Sequence, residues 1–222
     1  MVDEKMLEFV RGFIESHDPV ATKLERRFPF RRLADHCFRC CRWAERICRI
    51  EGGDADVAEV SALFHDIGKC VDNTRERHAV AGAEICADYL SRIGCDVGKR
   101  DRIVRIVRHH VEHCHGDESS LEARIESDAD ILDETGAMTV LWDCMAQGAE
   151  QEQSYLLARD RVHDAYRNLA RKTRASFQTE TGWRFFRERR EFLGRFLKHL
   201  DFELGITGEV NEGSEPGASG DA

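Results

Sequence analysis

Ten histidines in a chain of 222 residues are placed in a way that points to chemistry. His65 and Asp66 are neighbours at the end of an apolar run, Ala62-Leu63-Phe64-His65-Asp66-Ile67-Gly68-Lys69. An imidazole and a carboxylate together suit a divalent first-row metal better than calcium. Neighbours inside a continuous helix diverge by about 100°, so the pair shares one ion more easily where a helix ends. Gly68 is placed to supply that turn. His36 lies upstream in Asp35-His36-Cys37-Phe38-Arg39-Cys40. His78 follows in Arg77-His78-Ala79-Val80, and the doublet His109-His110 ends the apolar stretch Ile103-Val104-Arg105-Ile106-Val107-Arg108. Asp130 sits in Ser127-Asp128-Ala129-Asp130-Ile131-Leu132-Asp133.

These residues need elements that bring them together. The prolines are Pro19, Pro29 and Pro216, so none interrupts residues 30 to 215. Apolar spacing of three and four dominates that span and β-branched alternation is scarce, which predicts an all-α protein. The spacing predicts helices over 4–17, 33–51, 55–66, 78–94, 98–115, 119–132, 137–148, 151–176 and 181–203. Gly52-Gly53, Gly94, Gly116 and Gly182 punctuate them as caps or turns. Asp54 and Ser119 are placed as N-caps, and Ser119 has Glu122 at capping-box spacing. The candidate ligands fall on different helices, and facing helices of a bundle build metal sites in this way.

The order of a His, a His-Asp pair and a distant Asp resembles the signature of the HD-domain superfamily of metal-dependent phosphohydrolases. His36, His65-Asp66 and Asp130 stand in that order. The likeness extends to a branch of small bacterial and archaeal HD hydrolases in His36 to Arg39, in Leu63 to Gly68 and in Leu121 to Asp133. Thr179 to Gly182 and the following Arg187 to Leu193 are similar to that branch's closing helix. The resemblance covers roughly residues 30 to 205 and implies an HD-domain helical bundle. It implies hydrolysis of a small phosphorylated metabolite or nucleotide, either a phosphomonoester or a phosphodiester. Lys69 after Gly68 and the His109-His110 doublet look like the members that hold two ions. The HD fold also serves a few di-iron oxygenases, and a non-catalytic module that binds metal or nucleotide is a further alternative.

The residues support the same expectation physically. His36, His65, Asp66 and Asp130 offer imidazoles and carboxylates to one divalent transition ion (Mn, Fe, Co, Ni or Zn), which would polarise a phosphoryl oxygen and acidify water. If His78, His109 and His110 also bind, a second ion fits about 3.5–4 Å away with Asp66 as the bridge. Lys69 is either a cation for developing phosphate charge or a solvated turn lysine. Arg39, one turn from His36, is either a phosphate contact or an orienter of Asp130 or Asp128. Asp128 and Asp133 read as supporting or capping groups, and His113 and His115 as surface residues.

Other chemistries find less in the chain. Cys37, Cys40 and Cys41 have no second paired set at structural-zinc spacing, so most of the nine cysteines read as small buried hydrophobes. Neither a phosphate-binding Gly loop nor a dinucleotide fingerprint is present. The net charge of −9 disfavours long nucleic acid as a partner. No apolar run has the length to span a bilayer. Acids near the N-terminus, where a signal peptide carries bases, favour a cytoplasmic protein with reduced thiols. Oligomeric state is not written in the pattern. The expected organisation is a helical extension over 1–29, a metal-binding HD core over 30–150, helices packing on it over 151–207, and a disordered acidic tail over 208–222. The apolar stripe Phe185, Phe192, Leu193, Phe196, Leu197 and Leu200 is expected to dock the last helix on the core.

Overall fold

The structure, a computed structural model, describes residues 2–17, 32–72, 74–112, 119–133, 135–148 and 154–206. The expected acidic tail, Gly116, Cys114, His113 and His115 lie outside the described residues. Among the described residues all regular structure is helical: α1 (Glu4–Ser16), α2 (Leu33–Glu51), α3 (Ala55–Phe64), α4 (Arg75–Arg92), α5 (Val97–His109), α6 (Leu121–Asp133), α7 (Ala137–Gly148), α8 (Tyr155–Ala170) and α9 (Glu180–Glu203). Short 3-10 turns follow α3 at Ile67–Cys70, α5 at His110–Glu112 and α8 at Arg174–Ser176. No described helix is long and apolar enough to cross a membrane.

Helices α2 and α3 form the axis, because each buries side chains in two cores. Cys37 and Cys41 of α2, with Val57, Val60, Leu63 and Phe64 of α3, face a first core shared with α1, α4 and α5. Cys40, Ala44, Ile47 and Cys48 of α2, with Ala58 and Ala62 of α3, face a second core shared with α6, α8 and α9. Burial on two sides narrows the solvent-facing part of α3 to Ala55, Asp56 and Glu59, which explains its largely apolar sequence. The small residues on α2 and α3 let α6 pack closely against both. Cys37, Cys40, Cys41, Cys48, Cys70 and Cys86 are buried as free thiols, Cys95 is partly buried and Cys144 is exposed.

Local signals set the helix starts. The Asp54 carboxylate accepts from the Val57 N–H and caps α3. At α6 the capping hydroxyl belongs to Ser120, which accepts from the Ala123 N–H at 3.2 Å; the helix starts one residue later than the expected cap at Ser119 allows. The predicted helix over 151–176 divides into α8 and the 3-10 turn. In α9, Leu193 and Leu197 of the expected stripe are buried beside Phe186, Phe185 and Phe196 pack against the same core, and Phe192 is exposed instead.

Gly182 is not a cap or turn residue. It lies in the first turn of α9, and a Cβ there would stand 2.2 Å from Oδ2 of Asp128. Asp128, fully buried in α6, accepts from the backbone N–H groups of Gln178 and Thr179 at 2.8 Å each and from the Thr179 hydroxyl at 2.6 Å. Thr179 in turn caps α9 by accepting from the Gly182 N–H at 2.9 Å. The Thr179–Gly182 segment is therefore a latch that pins the last helix to α6. Asp128→Ala leaves three donors without their partner and is expected to cost about 3 kcal/mol, lowering the melting temperature by roughly 6–12 °C. A calorimetric scan in which the melting temperature stays within a degree of wild type would exclude the latch.

Candidate metal centre

The site is assembled from five segments that meet at the end of α3. His36 projects from α2. His65 caps the C-terminus of α3, and Asp66 follows it at the start of the 3-10 turn. His78 lies in the first turn of α4, His110 opens the 3-10 turn after α5, and Asp130 comes from α6. The chain must turn sharply after Phe64 to present both members of the His-Asp pair.

Gly68 permits this by close approach rather than by an unusual backbone angle. A Cβ at Gly68 would stand 2.0 Å from the carbonyl oxygen of His78 and 2.5 Å from the backbone nitrogen of Gly82. The absent side chain is what lets α4 bring His78 to the Asp66 turn. Gly68→Ala forces these backbones apart. It is expected to destabilise the fold by about 1–3 kcal/mol and to weaken metal retention in the same protein, as urea titration and metal analysis would read. A variant that binds metal like wild type would contradict this.

The donors fall into two groups. Nε2 of His36 and Nε2 of His65 are 3.3 Å apart, and Oδ1 of Asp130 lies 3.3 and 3.6 Å from them. Nε2 of His78 and Nε2 of His110 are 3.1 Å apart. Asp66 stands between the groups with one oxygen for each. Its Oδ2 is 3.4 Å from both His36 and His65, and its Oδ1 is 3.4 Å from His78 and 3.5 Å from His110.

The far side of each ring is already committed. Nδ1 of His65 donates to the Ala62 carbonyl at 2.8 Å, Nδ1 of His78 to that of Thr74 at 2.9 Å, and Nδ1 of His110 to that of Val107 at 2.8 Å. Nδ1 of His36 donates to Oδ2 of Asp133 at 2.8 Å. A carbonyl can only accept, so these nitrogens carry a proton, and in the neutral ring the facing Nε2 atom carries the lone pair. Two lone-pair nitrogens about 3 Å apart have nothing to share unless a cation lies between or beside them. Such orientation of an imidazole from behind is the usual support for a metal ligand. The residues therefore fit divalent transition ions, by donor type and by direction.

Burial opposes a second proton on His36 and on His65, but the surrounding carboxylates outweigh it and hold both rings well above the ordinary imidazole range, so without an ion these two Nε2 atoms hold protons that a bound metal would displace. Burial pushes the Asp66 carboxyl up, and the imidazoles of His65, His110 and His36 reverse this, holding it well below the usual carboxylate range. The pocket thus favours positive charge. The Cys40 thiol also lies 3.7 Å from both ring nitrogens of His36, within the His36–His65–Asp130 group, and burial pushes its pKa up to about 12.

The structure separates the residues expected in the site. His36, His65, Asp66, His78, His110 and Asp130 come together. His109 does not: it is the last residue of α5, its side chain is 45% exposed, and Nδ1 pairs with Glu112 at 2.9 Å. Adjacent helical residues diverge, so only one of the doublet can face inward. Lys69 pairs with Asp66 at the rim of the site. Arg39 reaches neither Asp130 nor Asp128. Its Nε and NH2 groups donate to the two oxygens of Asp133 at 2.6 and 3.0 Å, a bidentate grip on the carboxylate that holds His36. The last acid of the Asp128-Ala129-Asp130-Ile131-Leu132-Asp133 run is thus the second layer of the site. Sequence reasoning missed Glu126, one turn before Asp130 on α6. It is 2% exposed, and burial raises its carboxyl to about 8. An acid inside the run Ala123 to Ala129 was the available signal.

The HD domain family matches residues 33–135. That match takes in a little under half of the chain. The matched span runs from the first residue of α2 to just beyond α6, and it contains every residue of the two donor groups. HD domains bind divalent metals, and the grouped imidazoles and carboxylates of this chain are arranged for that. The crystal structure of a predicted HD superfamily hydrolase from an uncultured Thermotogales bacterium is similar over 90% of this chain and 92% of that one, with a TM-score of 0.61 and 25% identity. Bacillus subtilis YpgQ shares the fold over 93% of this chain and 100% of its own, with a TM-score of 0.58 and 21% identity. Among curated proteins, Ribonuclease Y of Campylobacter curvus (strain 525.92) is 27% identical over 156 residues, 67% of this chain. That match spans only 28% of the ribonuclease. The chain has the fold of the HD-superfamily hydrolases.

Proposed function

We propose that this HD protein is a metal-dependent phosphohydrolase acting on a small phosphorylated metabolite or nucleotide. The observation that carries the reading is the convergence of four Nε2 atoms on the two oxygens of Asp66, with every Nδ1 committed elsewhere. His36, His65 and Asp130 would hold one divalent transition ion, and His78 and His110 a second, with Asp66 facing both. Ions bound there would act as Lewis acids on a phosphoryl oxygen and lower the pKa of water from 15.7 to roughly 7. The protein's own residues supply orientation. Asp133 keeps the His36 proton on Nδ1, and the carbonyls of Ala62, Thr74 and Val107 do the same for the other three rings. Lys69, 37% exposed and held by Asp66, is the ammonium placed to meet a substrate phosphate. Arg39 acts on the site through Asp133 and is a positioning residue.

The curated relative is named for cleavage of RNA, and YpgQ has been solved in complex with ADP; both ligands are phosphoric esters. The test is an assay of purified protein loaded with Mn, Fe, Co, Ni or Zn against bis(p-nitrophenyl) phosphate, p-nitrophenyl phosphate, a nucleotide panel and a short RNA. Metal-stimulated release from at least one is expected, with His109→Ala close to wild type and His110→Ala impaired. No release with any metal, or equal activity in the His110→Ala variant, would refute the proposal. Release from a nucleotide but not from RNA would fit the net charge of −9.

A further inference from the structure

Behind the metal centre lies a cavity of about 220 Å³ lined by Arg39, Arg42, Trp43 and Arg46 of α2 and by the α6 end at Asp133. None of His36, His65, Asp66, His78, His110 or Asp130 lines it. The four α2 residues stand at spacings of three and four, on one face of the helix. Asp133 brings no free charge, since its fully buried carboxylate is shared between His36 and Arg39.

Apart from Arg39, the basic groups here lack acids. The Arg46 guanidinium lies 4.6 Å from the centroid of the Trp43 ring and the Arg189 guanidinium, from α9, 3.9 Å from it. Arg189 also donates to the Phe185 carbonyl at 2.7 Å. Among the described residues no carboxylate forms an ion pair with Arg42, Arg46 or Arg189, while Arg39 beside them is held by Asp133. Burial and the neighbouring Arg46 lower the Arg189 pKa to about 10. Each guanidinium is attracted to the indole, but the two cations gathered at one ring repel each other, and an anion would relieve this. The Trp43 face is a stacking partner for guanidinium groups and for flat rings alike.

We propose that this cavity is a second site, separate from the metal centre, that binds the diphosphate group of a phosphorylated ligand through Arg42 and Arg46 beside Trp43. Its volume is below the 300–1,000 Å³ of pockets that enclose whole small ligands, so it takes the charged end and leaves the rest outside. Arginine forks suit phosphate oxygens. The source of the diphosphate is inorganic pyrophosphate or a nucleoside diphosphate.

The experiment titrates the full chain, with metals removed by EDTA, with inorganic pyrophosphate and separately with ADP. Trp fluorescence and calorimetry read binding directly. Chelation makes the result independent of the metal reading, so either can fail alone. Saturable binding is expected for at least one probe, weakening as salt is added. Arg42→Gln and Arg46→Gln are each expected to weaken it about tenfold. Lys69→Gln, which changes only the rim of the metal centre, is expected to leave it unchanged. Both arginines are exposed, and matched circular dichroism melts verify that the variants fold. Equal affinity for the two probes assigns the site to the diphosphate alone. Tighter ADP binding adds a ring stacked on Trp43, and tighter pyrophosphate binding excludes one. Absence of saturable binding, affinity unchanged by both arginine substitutions, or loss of binding in Lys69→Gln would overturn the proposal.

Discussion

Asp66→Ala is expected to abolish metal-stimulated hydrolysis, with a fall in kcat/KM of at least about 10³, equal to roughly 4 kcal/mol of barrier. Asp66 is the one carboxylate with an oxygen toward each histidine pair, at 3.4–3.5 Å from all four Nε2 atoms. Its removal takes a donor from both groups at once, whereas loss of Asp130 affects only the His36–His65 group. Metal analysis after dialysis should show bound metal reduced to a small fraction of the wild-type content. Asp66→Asn separates charge from packing, because the amide fills the same space without the negative charge. It should behave like the alanine variant if charge attracts the ions. Wild-type metal content in both variants would remove Asp66 from the centre and the phosphohydrolase reading with it.

Asp133→Ala is expected to act on both stability and metal. Asp133 is buried and accepts from His36 and, in two hydrogen bonds, from Arg39. Deleting it strands a half-buried guanidinium and frees the His36 ring to turn. Breaking a buried pair of this kind costs about 3–5 kcal/mol, and losing the partner behind a metal ligand typically weakens metal binding 10–100-fold. Urea titration with and without metal reads both numbers. Burial pushes the Asp133 carboxyl up, but the hydrogen bonds and charges of His36 and Arg39 hold it below the usual carboxylate range. The folded state therefore binds this proton less readily than the unfolded state. The stability it contributes is complete above the ordinary value of about 3.9 and fades as the pH falls below it. The gap between wild type and Asp133→Ala should narrow below about pH 4. A variant with unchanged metal affinity would show that His36 is oriented by something else.

The helices themselves were largely legible in the sequence. The absence of proline over residues 30–215 and the apolar spacing placed α2 at Leu33–Glu51 and α7 at Ala137–Gly148 without error, since local periodicity is what both pattern and helix share. The donor types were legible for the same reason that the His-Asp turn stood out: His65 and Asp66 are adjacent in the chain. Glu126 escaped notice because an acid on a helix is ordinarily a solvated residue, and only packing reveals that this one is enclosed.

The chain pattern alone determined that this is a helical protein with imidazoles and carboxylates on separate helices. Three matters were left to the tertiary structure. It chose His110 over His109, because the ending of α5 in a 3-10 turn decides which of two diverging neighbours faces inward. It gave Arg39 to Asp133 rather than to Asp128 or Asp130, because a guanidinium bonds the carboxylate that packing brings within reach. It showed Gly68 and Gly182 to be places where another chain segment comes too close for a side chain. All three depend on which surfaces meet across long sequence separations, and periodicity along one helix carries no record of its neighbour.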